Sequence, residues 1–232
     1  MPIMKKHLLL LTAALSCGLF SYAQVSFGVK AGYSLAGMSS KNAITDNTSE
    51  QAHTKTISAF HAGVIADISL TKNFSLQPGL FYSAKGAKVD QLIGGGPAST
   101  PQRVTSTAHL NYLELPVNFL YKRALGPGKI FAGFGPYLAY GVGGKIKTDY
   151  EHYGHVESEV KFKNKKDIDA NIAYVKPFDV GANFIAGYEL KMGLLFSVNY
   201  SLGLTNTSPY ESETEKNHYL GISVGYLLHK HK

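Results

Sequence analysis

A chain of 232 residues is one large domain or two small ones. Its mean hydropathy is close to zero and no apolar run reaches the ~18 residues that a spanning helix needs, so helical membrane spans are excluded. The formal charge of +7 comes almost wholly from lysine; Arg103 and Arg123 are the only arginines, and the lack of Arg–aromatic clusters argues against a nucleic-acid partner.

The first segment reads as an address. Lys5, Lys6 and His7 precede a short apolar run at 8–15, and Ser21-Tyr22-Ala23 puts small residues where a signal peptidase reads. This predicts a secretory signal peptide over 1–23 and one mature domain over 24–232. A rival start, Cys17 as a lipid-modified first residue, is poorly served by Ala14-Leu15-Ser16. Removing Lys5 and Lys6 leaves 21 basic against 16 acidic residues. Cys17 is the only cysteine, so the mature chain would be exported without disulfides and held by its own hydrogen-bond ladder.

Alternation with a period of two then recurs along the chain. The first strand is predicted at 25–35, with Val25, Phe27, Val29, Ala31, Tyr33 and Leu35 on one face and Ser26, Gly28, Lys30, Gly32 and Ser34 on the other. A long polar loop at 36–56 follows. The second strand, 57–70, turns at Thr71-Lys72-Asn73 into the third, 74–83. Pro78 has no amide donor and is awkward inside a closed sheet, so it marks a bulge or a weak point. A second long loop, 87–106, holds Gly94-Gly95-Gly96-Pro97, which lacks the Lys-Ser/Thr of a phosphate cradle. The fourth and fifth strands, 108–121 and 130–142, flank a turn at 122–128. The longest loop, 144–176, carries charges of both signs.

The clearest hairpin is 178–190 and 194–204, joined at Lys191-Met192-Gly193. Phe178, Val180, Ala182, Phe184, Ala186, Tyr188 and Leu190 alternate with Asp179, Gly181, Asn183, Ile185, Gly187 and Glu189. Such runs reach the roughly 9–11 residues that cross a hydrocarbon core at a tilt. A loop at 205–217 and an eighth strand at 219–228 complete the chain.

The predicted fold is all-β: an eight-stranded antiparallel up-and-down transmembrane barrel. Connections alternate long and short throughout. In outer-membrane barrels the short turns face the periplasm and the long loops face outside. The inward set Lys30, Asp67, Glu114, Asn118, Asp179, Asn183, Glu189 and Asn199 would be costly in a dry apolar core but suits a polar interior.

Several stretches carry a resemblance: Phe27-Gly28-Val29-Lys30-Ala31-Gly32-Tyr33, Phe60-His61-Ala62-Gly63, Leu76-Gln77-Pro78-Gly79-Leu80, Lys85-Gly86-Ala87-Lys88, Tyr112-Leu113-Glu114-Leu115-Pro116, Phe178-Asp179-Val180-Gly181 and Gly203-Leu204-Thr205-Asn206. In this order, over nearly all of the mature chain, they resemble the PorT-like, porin-like outer-membrane β-barrel family. The resemblance implies an eight-stranded barrel, a link to protein secretion in PorT itself, and no catalytic residues. One departure is the end of the chain, which runs past Tyr226 rather than finishing on an aromatic residue.

Residue heights suggest a lumen ion-pair network of Lys30 and Glu114, joined by Asp179 and Asn183, that plugs the tube. Eight strands leave an interior barely wide enough for side chains. Outward aromatics are expected at the two membrane interfaces: Tyr33, Tyr82, Tyr140 and Phe178 on the outer side, and Phe74, Phe119, Tyr121, Tyr188 and Tyr226 on the periplasmic side. His152 and His155 offer two imidazoles of the three or four ligands that zinc wants, so no metal or other cofactor is expected. No Gly-x-Ser-x-Gly or assignable triad occurs. The expected role is therefore a non-enzymatic outer-membrane protein of structural or interaction type, with a narrow pore or transport accessory as the alternative and a barrel enzyme as the less favoured third. Expected partners are outer-membrane lipid and lipopolysaccharide, the barrel assembly machinery, and a secretion or surface protein met through the loops.

Overall fold

A computed structural model describes residues 25–42, 53–93, 101–164, 171–210 and 213–228. The predicted signal peptide, the Gly94–Pro97 stretch, His229 and His231 lie outside the described residues.

Eight long strands form a ring. They are β1 (Val25–Asn42), β3 (Ile57–Ser69), β4 (Phe74–Ile93), β5 (Gln102–Leu125), β6 (Gly128–Tyr150), β9 (Phe178–Leu190), β10 (Leu194–Gly203) and β11 (Glu213–Leu228). Each pairs antiparallel with its neighbour in that order, and β11 returns to β1 from Phe27↔Leu228 to Asn42↔Glu213. The closed ring leaves no edge over its membrane-height portion. The predicted alternation sorts its side chains: Val29 is 59% exposed and Lys30 only 7%. Phe184, Phe196 and Ile222 point outward, and Asn183, Ser197 and Ser223 point inward.

The strands run further than alternation predicts, mostly at the end with the long connections; at the short turn β5 also runs on to Leu125 and β6 starts at Gly128. β1 continues to Asn42, β4 to Ile93 and β6 to Tyr150, while β5 starts at Gln102 and β11 at Glu213. Three short strands also lie in stretches expected to be loop. β2 (His53–Lys55) pairs with β4, β7 (Gly154–Phe162) pairs antiparallel with β6, and β8 (Ile172–Val175) pairs parallel with β7. Here both faces carry polar residues, so the period of two is hidden. Cross-strand polar pairs such as Ser106–Thr148 at 3.1 Å and Thr105–Asp90 at 2.8 Å support the pairing instead.

The register bends at one bulge rather than at Pro78. Asn111 faces Gly143 but Tyr112 faces Gly141, so Val142 is an extra residue on β6. Around Pro78 the register is unchanged: Ile65↔Gly79 and Ile68↔Leu76 obey the same pairing. Pro78 lies next to Val117, and Pro116 next to Tyr137, so ladder gaps gather on β4, β5 and β6.

Towards the end with the long connections an apolar cluster fills part of the interior. Leu110, Tyr112, Tyr137 and Ala139 pack with Val160 on β7 and Val175 on β8, joined by Met38, Ile146 and Phe162. Gly141 makes room for this: a Cβ there would run into the Phe162 ring. Phe162 also meets Tyr112 edge-on, with ring centroids 5.2 Å apart.

Candidate functional site in the barrel lumen

Three polar layers lie beneath that apolar plug. The uppermost centres on Lys85, whose Nζ lies 2.8 Å from Glu114 Oε2 and 3.1 Å from Asp179 Oδ2. Three strands supply the charges: β4, β5 and β9. The side chains of Lys85, Glu114 and Asp179 are all essentially inaccessible. Tyr219 donates to Glu114 Oε1 at 2.9 Å. Tyr137 donates to Asp179 Oδ1 at 3.2 Å, and Asn217 Nδ2 donates to its Oδ2 at 3.0 Å. The ammonium also faces the Tyr137 ring at 4.3 Å and the Tyr112 ring at 5.2 Å. Buried charges persist where they are paired, and all three charges of this layer are paired. The hydrogen-bond capacity is not fully met: Glu114 Oε2 has the ion pair alone, and the Tyr112 hydroxyl and Asn217 Oδ1 are buried without a hydrogen-bond partner among the described residues.

Gly86, beside Lys85, has a φ of +143°, and a Cβ there would strike the Ala108 carbonyl. That backbone shape is cheap only for glycine. It fixes the course of β4 next to the buried lysine.

The middle layer is neutral except for Lys30. His61 bridges Ser34 at 2.9 Å and Ser223 at 2.7 Å. Asn183 Nδ2 donates to Asn118 Oδ1 at 2.9 Å, and Ser201 donates to Asn183 at 3.3 Å. Lys30, His61, Gln77, Asn118, Asn183 and Asn199 border a cavity of about 20 Å³, room for roughly one water.

The lowest layer repeats the uppermost in composition. Lys122 Nζ lies 2.7 Å from Asp67 Oδ2 and 2.8 Å from Glu189 Oε2, while Gln77 Nε2 donates to Asp67 at 3.1 Å. A vestibule of about 100 Å³ opens beside it, towards the Thr71-Lys72-Asn73 turn.

The lumen network expected from sequence is therefore re-wired. Glu114 and Asp179 do meet in one cluster, but through Lys85 and not Lys30. Lys30 enters no ion pair among the described residues, and Asn183 belongs to the neutral middle layer. Lys85 and Lys122 lie just past the predicted ends of their strands, at 83 and 121. Both continue the inward parity, after Phe81 and Ser83 in one case and Asn118 and Leu120 in the other. Carrying the alternation two more residues would have found each.

The outward aromatics form two bands. Tyr82, Leu113, Tyr140 and Phe178 lie in one register row, with the Tyr140 and Phe178 rings 5.3 Å apart. Tyr33 pairs with Phe60 nearby. Towards the short turns, the Phe74 ring lies 5.3 Å from both Phe119 and Tyr121. Tyr188 and Tyr226 lie towards the same rim, and Tyr188 donates to the Leu125 carbonyl at 2.6 Å. His152 and His155 are exposed at the β6–β7 tip, and no group of three metal-ligating side chains gathers among the described residues.

The profile of one family, the outer membrane protein beta-barrel domain, matches residues 20–209. The chain belongs to that family, and is a protein of the outer membrane. No curated protein matches the sequence. Among solved structures it is similar to OprG from Pseudomonas aeruginosa at 11% identity and a TM-score of 0.45, covering 91% of this chain and 99% of that one. Neisserial surface protein A matches at 11% identity and 0.42, covering 88% and 98%. Ail, the attachment invasion locus protein of Yersinia pestis, matches at 9% identity and 0.37, covering 88% and 99%. Likeness at this level concerns the fold alone.

Proposed function

We propose that this barrel is a closed, non-enzymatic outer-membrane protein whose work is done by its long outward connections. The observation that carries the reading is the double closure of the lumen. Lys85 binds Glu114 and Asp179 under an apolar plug, and Lys122 binds Asp67 and Glu189 near the opposite rim. Between them remains room for about one water, far less than a hydrated ion needs to pass. The two aromatic bands would lie at the membrane interfaces, with both ends of the described chain on the periplasmic side. From Leu113 to Tyr121 the strand covers roughly 26 Å, or about 20 Å along a tilted axis, near the height of an outer-membrane apolar band.

The ordered motifs support a place among the PorT-like barrels, and with it a partner in secretion or surface contact. The leader over 1–23 would be removed on export, and the terminal strand would present the chain to the barrel assembly machinery. Planar-bilayer recording tests the closure. The purified protein should insert, show a heat-modifiable band on a gel and carry no steady current. A steady open state would favour the pore reading instead.

A further inference from the structure

The end of the barrel with the short turns carries exposed charge of one sign. Lys72, Arg123, Lys129 and Lys191 lie in or beside those turns, and all are exposed. None of them enters an ion pair among the described residues. The carboxylates described at this end, Asp67 and Glu189, are buried and held by Lys122. The opposite end mixes its signs: Lys55 meets Asp90, Lys145 meets Glu157 and Lys147 meets Asp149. Surfaces ordinarily intersperse both signs, and a field of one sign serves to steer a charged partner.

Two of these lysines stand over the lumen and not against the outer wall. Lys72 and Lys129 border the vestibule of about 100 Å³ beside Lys122, together with Ser26 and Ser69. Lys129 has the inward parity of Phe131, two residues further along β6. The turn that carries Lys72 is pinned. Thr71 Oγ1 accepts from the amides of Asn73 at 3.3 Å and Phe74 at 3.1 Å. Asn73 Nδ2 donates to the Lys122 carbonyl at 3.0 Å, and the Lys122 amide donates to the Asn73 carbonyl at 2.7 Å. The fold therefore fixes the backbone of Lys72 and makes no use of its ammonium. Arg123 differs, because it shares the outward parity of Tyr121. Parity thus turns Arg123 towards the bilayer, and Lys72 and Lys129 towards whatever arrives from the aqueous side.

We propose that this mouth receives an acidic segment of a periplasmic protein, with one carboxylate seated between Lys72 and Lys129. The inference rests on the reading that the short turns face the periplasm. A narrow opening edged by ammonium groups focuses its field on a single carboxylate, which a flat surface does not. The Ser26 and Ser69 hydroxyls supply further donors. Lys122 with Asp67 and Glu189 leaves a net negative charge deeper in, which stops the incoming carboxylate at the mouth. The next acidic side chain of the segment meets Lys191, which opens the neighbouring turn just past the Gly128↔Leu190 pair.

The test uses the full-length mature protein in phosphatidylcholine nanodiscs and a fluorescent hexaglutamate peptide, with hexaglutamine as the neutral reference. The wild type should prefer hexaglutamate by about 3- to 30-fold, the range that two exposed ion pairs give. Lys72→Gln with Lys129→Gln should remove that preference while the protein keeps its heat-modifiable band. Arg123→Gln should leave it within about two-fold, which separates the mouth from basic charge in general. Equal binding of the two peptides, an unchanged double variant, or an equal loss from Arg123→Gln would overturn the proposal. So would loss of peptide binding in nanodiscs containing phosphatidylglycerol, which would give the mouth to lipid headgroups. Orientation is read separately on cells, at the exposed Met192 of the third short turn. Met192→Cys should react with a bulky impermeant maleimide only after the outer membrane is permeabilised. That result without a peptide preference would sink the mouth alone. Labelling of intact cells would sink the periplasmic orientation and this partner with it.

Discussion

The two charged layers of the lumen have the same composition and different surroundings. Each has one lysine between two carboxylates. Around Lys85 little room is left for water: three tyrosines surround the ammonium, the phenol hydroxyls of Tyr137 and Tyr219 occupy carboxylate oxygens, an apolar plug lies above, and only the cavity of about 20 Å³ touches Glu114. Around Lys122 a vestibule begins, and its side chain keeps 10% of its surface exposed. Composition therefore does not set the strength of such a layer. Access of water does, because water can stand in for a lost partner more readily beside the vestibule of about 100 Å³ than beside the cavity of about 20 Å³.

Removing each lysine should expose that difference. Lys85→Met leaves Glu114 and Asp179 buried without their cation, and should cost about 3–5 kcal/mol of unfolding free energy in urea. If the loss were under ~1 kcal/mol, water would have to reach the upper layer. Lys122→Met should cost about 1–3 kcal/mol, because the vestibule can hydrate Asp67 and Glu189. An equal loss at both sites would erase the contrast. Lys30→Met should move stability by less than about 1 kcal/mol in either direction, since no ion pair is broken. A loss as large as that of Lys85→Met would restore Lys30 to the network.

The smallest effect lies outside the barrel, at Lys55 and Asp90, which meet at 2.7 Å at the outer end of β4. Hydrogen bonds from Lys55 and Thr105 hold the Asp90 carboxyl below its usual range. A carboxyl depressed in the folded state contributes stability above its unfolded value and loses it as pH falls through the folded one. Acid should therefore weaken the β2–β4 pairing slightly, and Lys55→Met should flatten that dependence in amide exchange of residues 53–55. An identical acid response in the variant would assign the effect elsewhere.

The ring was legible because lipid outside and polar groups inside impose opposite chemistries on alternate residues. Phe184 beside Asn183, and Phe196 beside Ser197, leave little choice of face. Where both faces meet water, as at Thr105, Ser106, Lys147 and Thr148, the same geometry leaves no hydrophobic trace. This is why β2, β7 and β8 and the outer lengths of β1, β4, β5, β6 and β11 were not foreseen. The carboxylates of the site were legible for the first reason. Their cation was not, because a lysine at a strand end reads equally well as loop surface. Lys85 was separable from Lys88 only by parity, and the height of a flexible side chain is not a function of sequence position alone. Lys30, at a matching height on the ring, was the nearer candidate by backbone position and the wrong one by reach.

A double-mutant cycle between Lys85 and Asp179 bears most directly on the closed lumen. Urea unfolding of Lys85→Met, Asp179→Asn and the two combined should give a coupling of about 2 kcal/mol, with the double variant more stable than the sum of single losses predicts. Strictly additive losses would mean that the two charges do not hold each other, and that the upper layer is not the lock described.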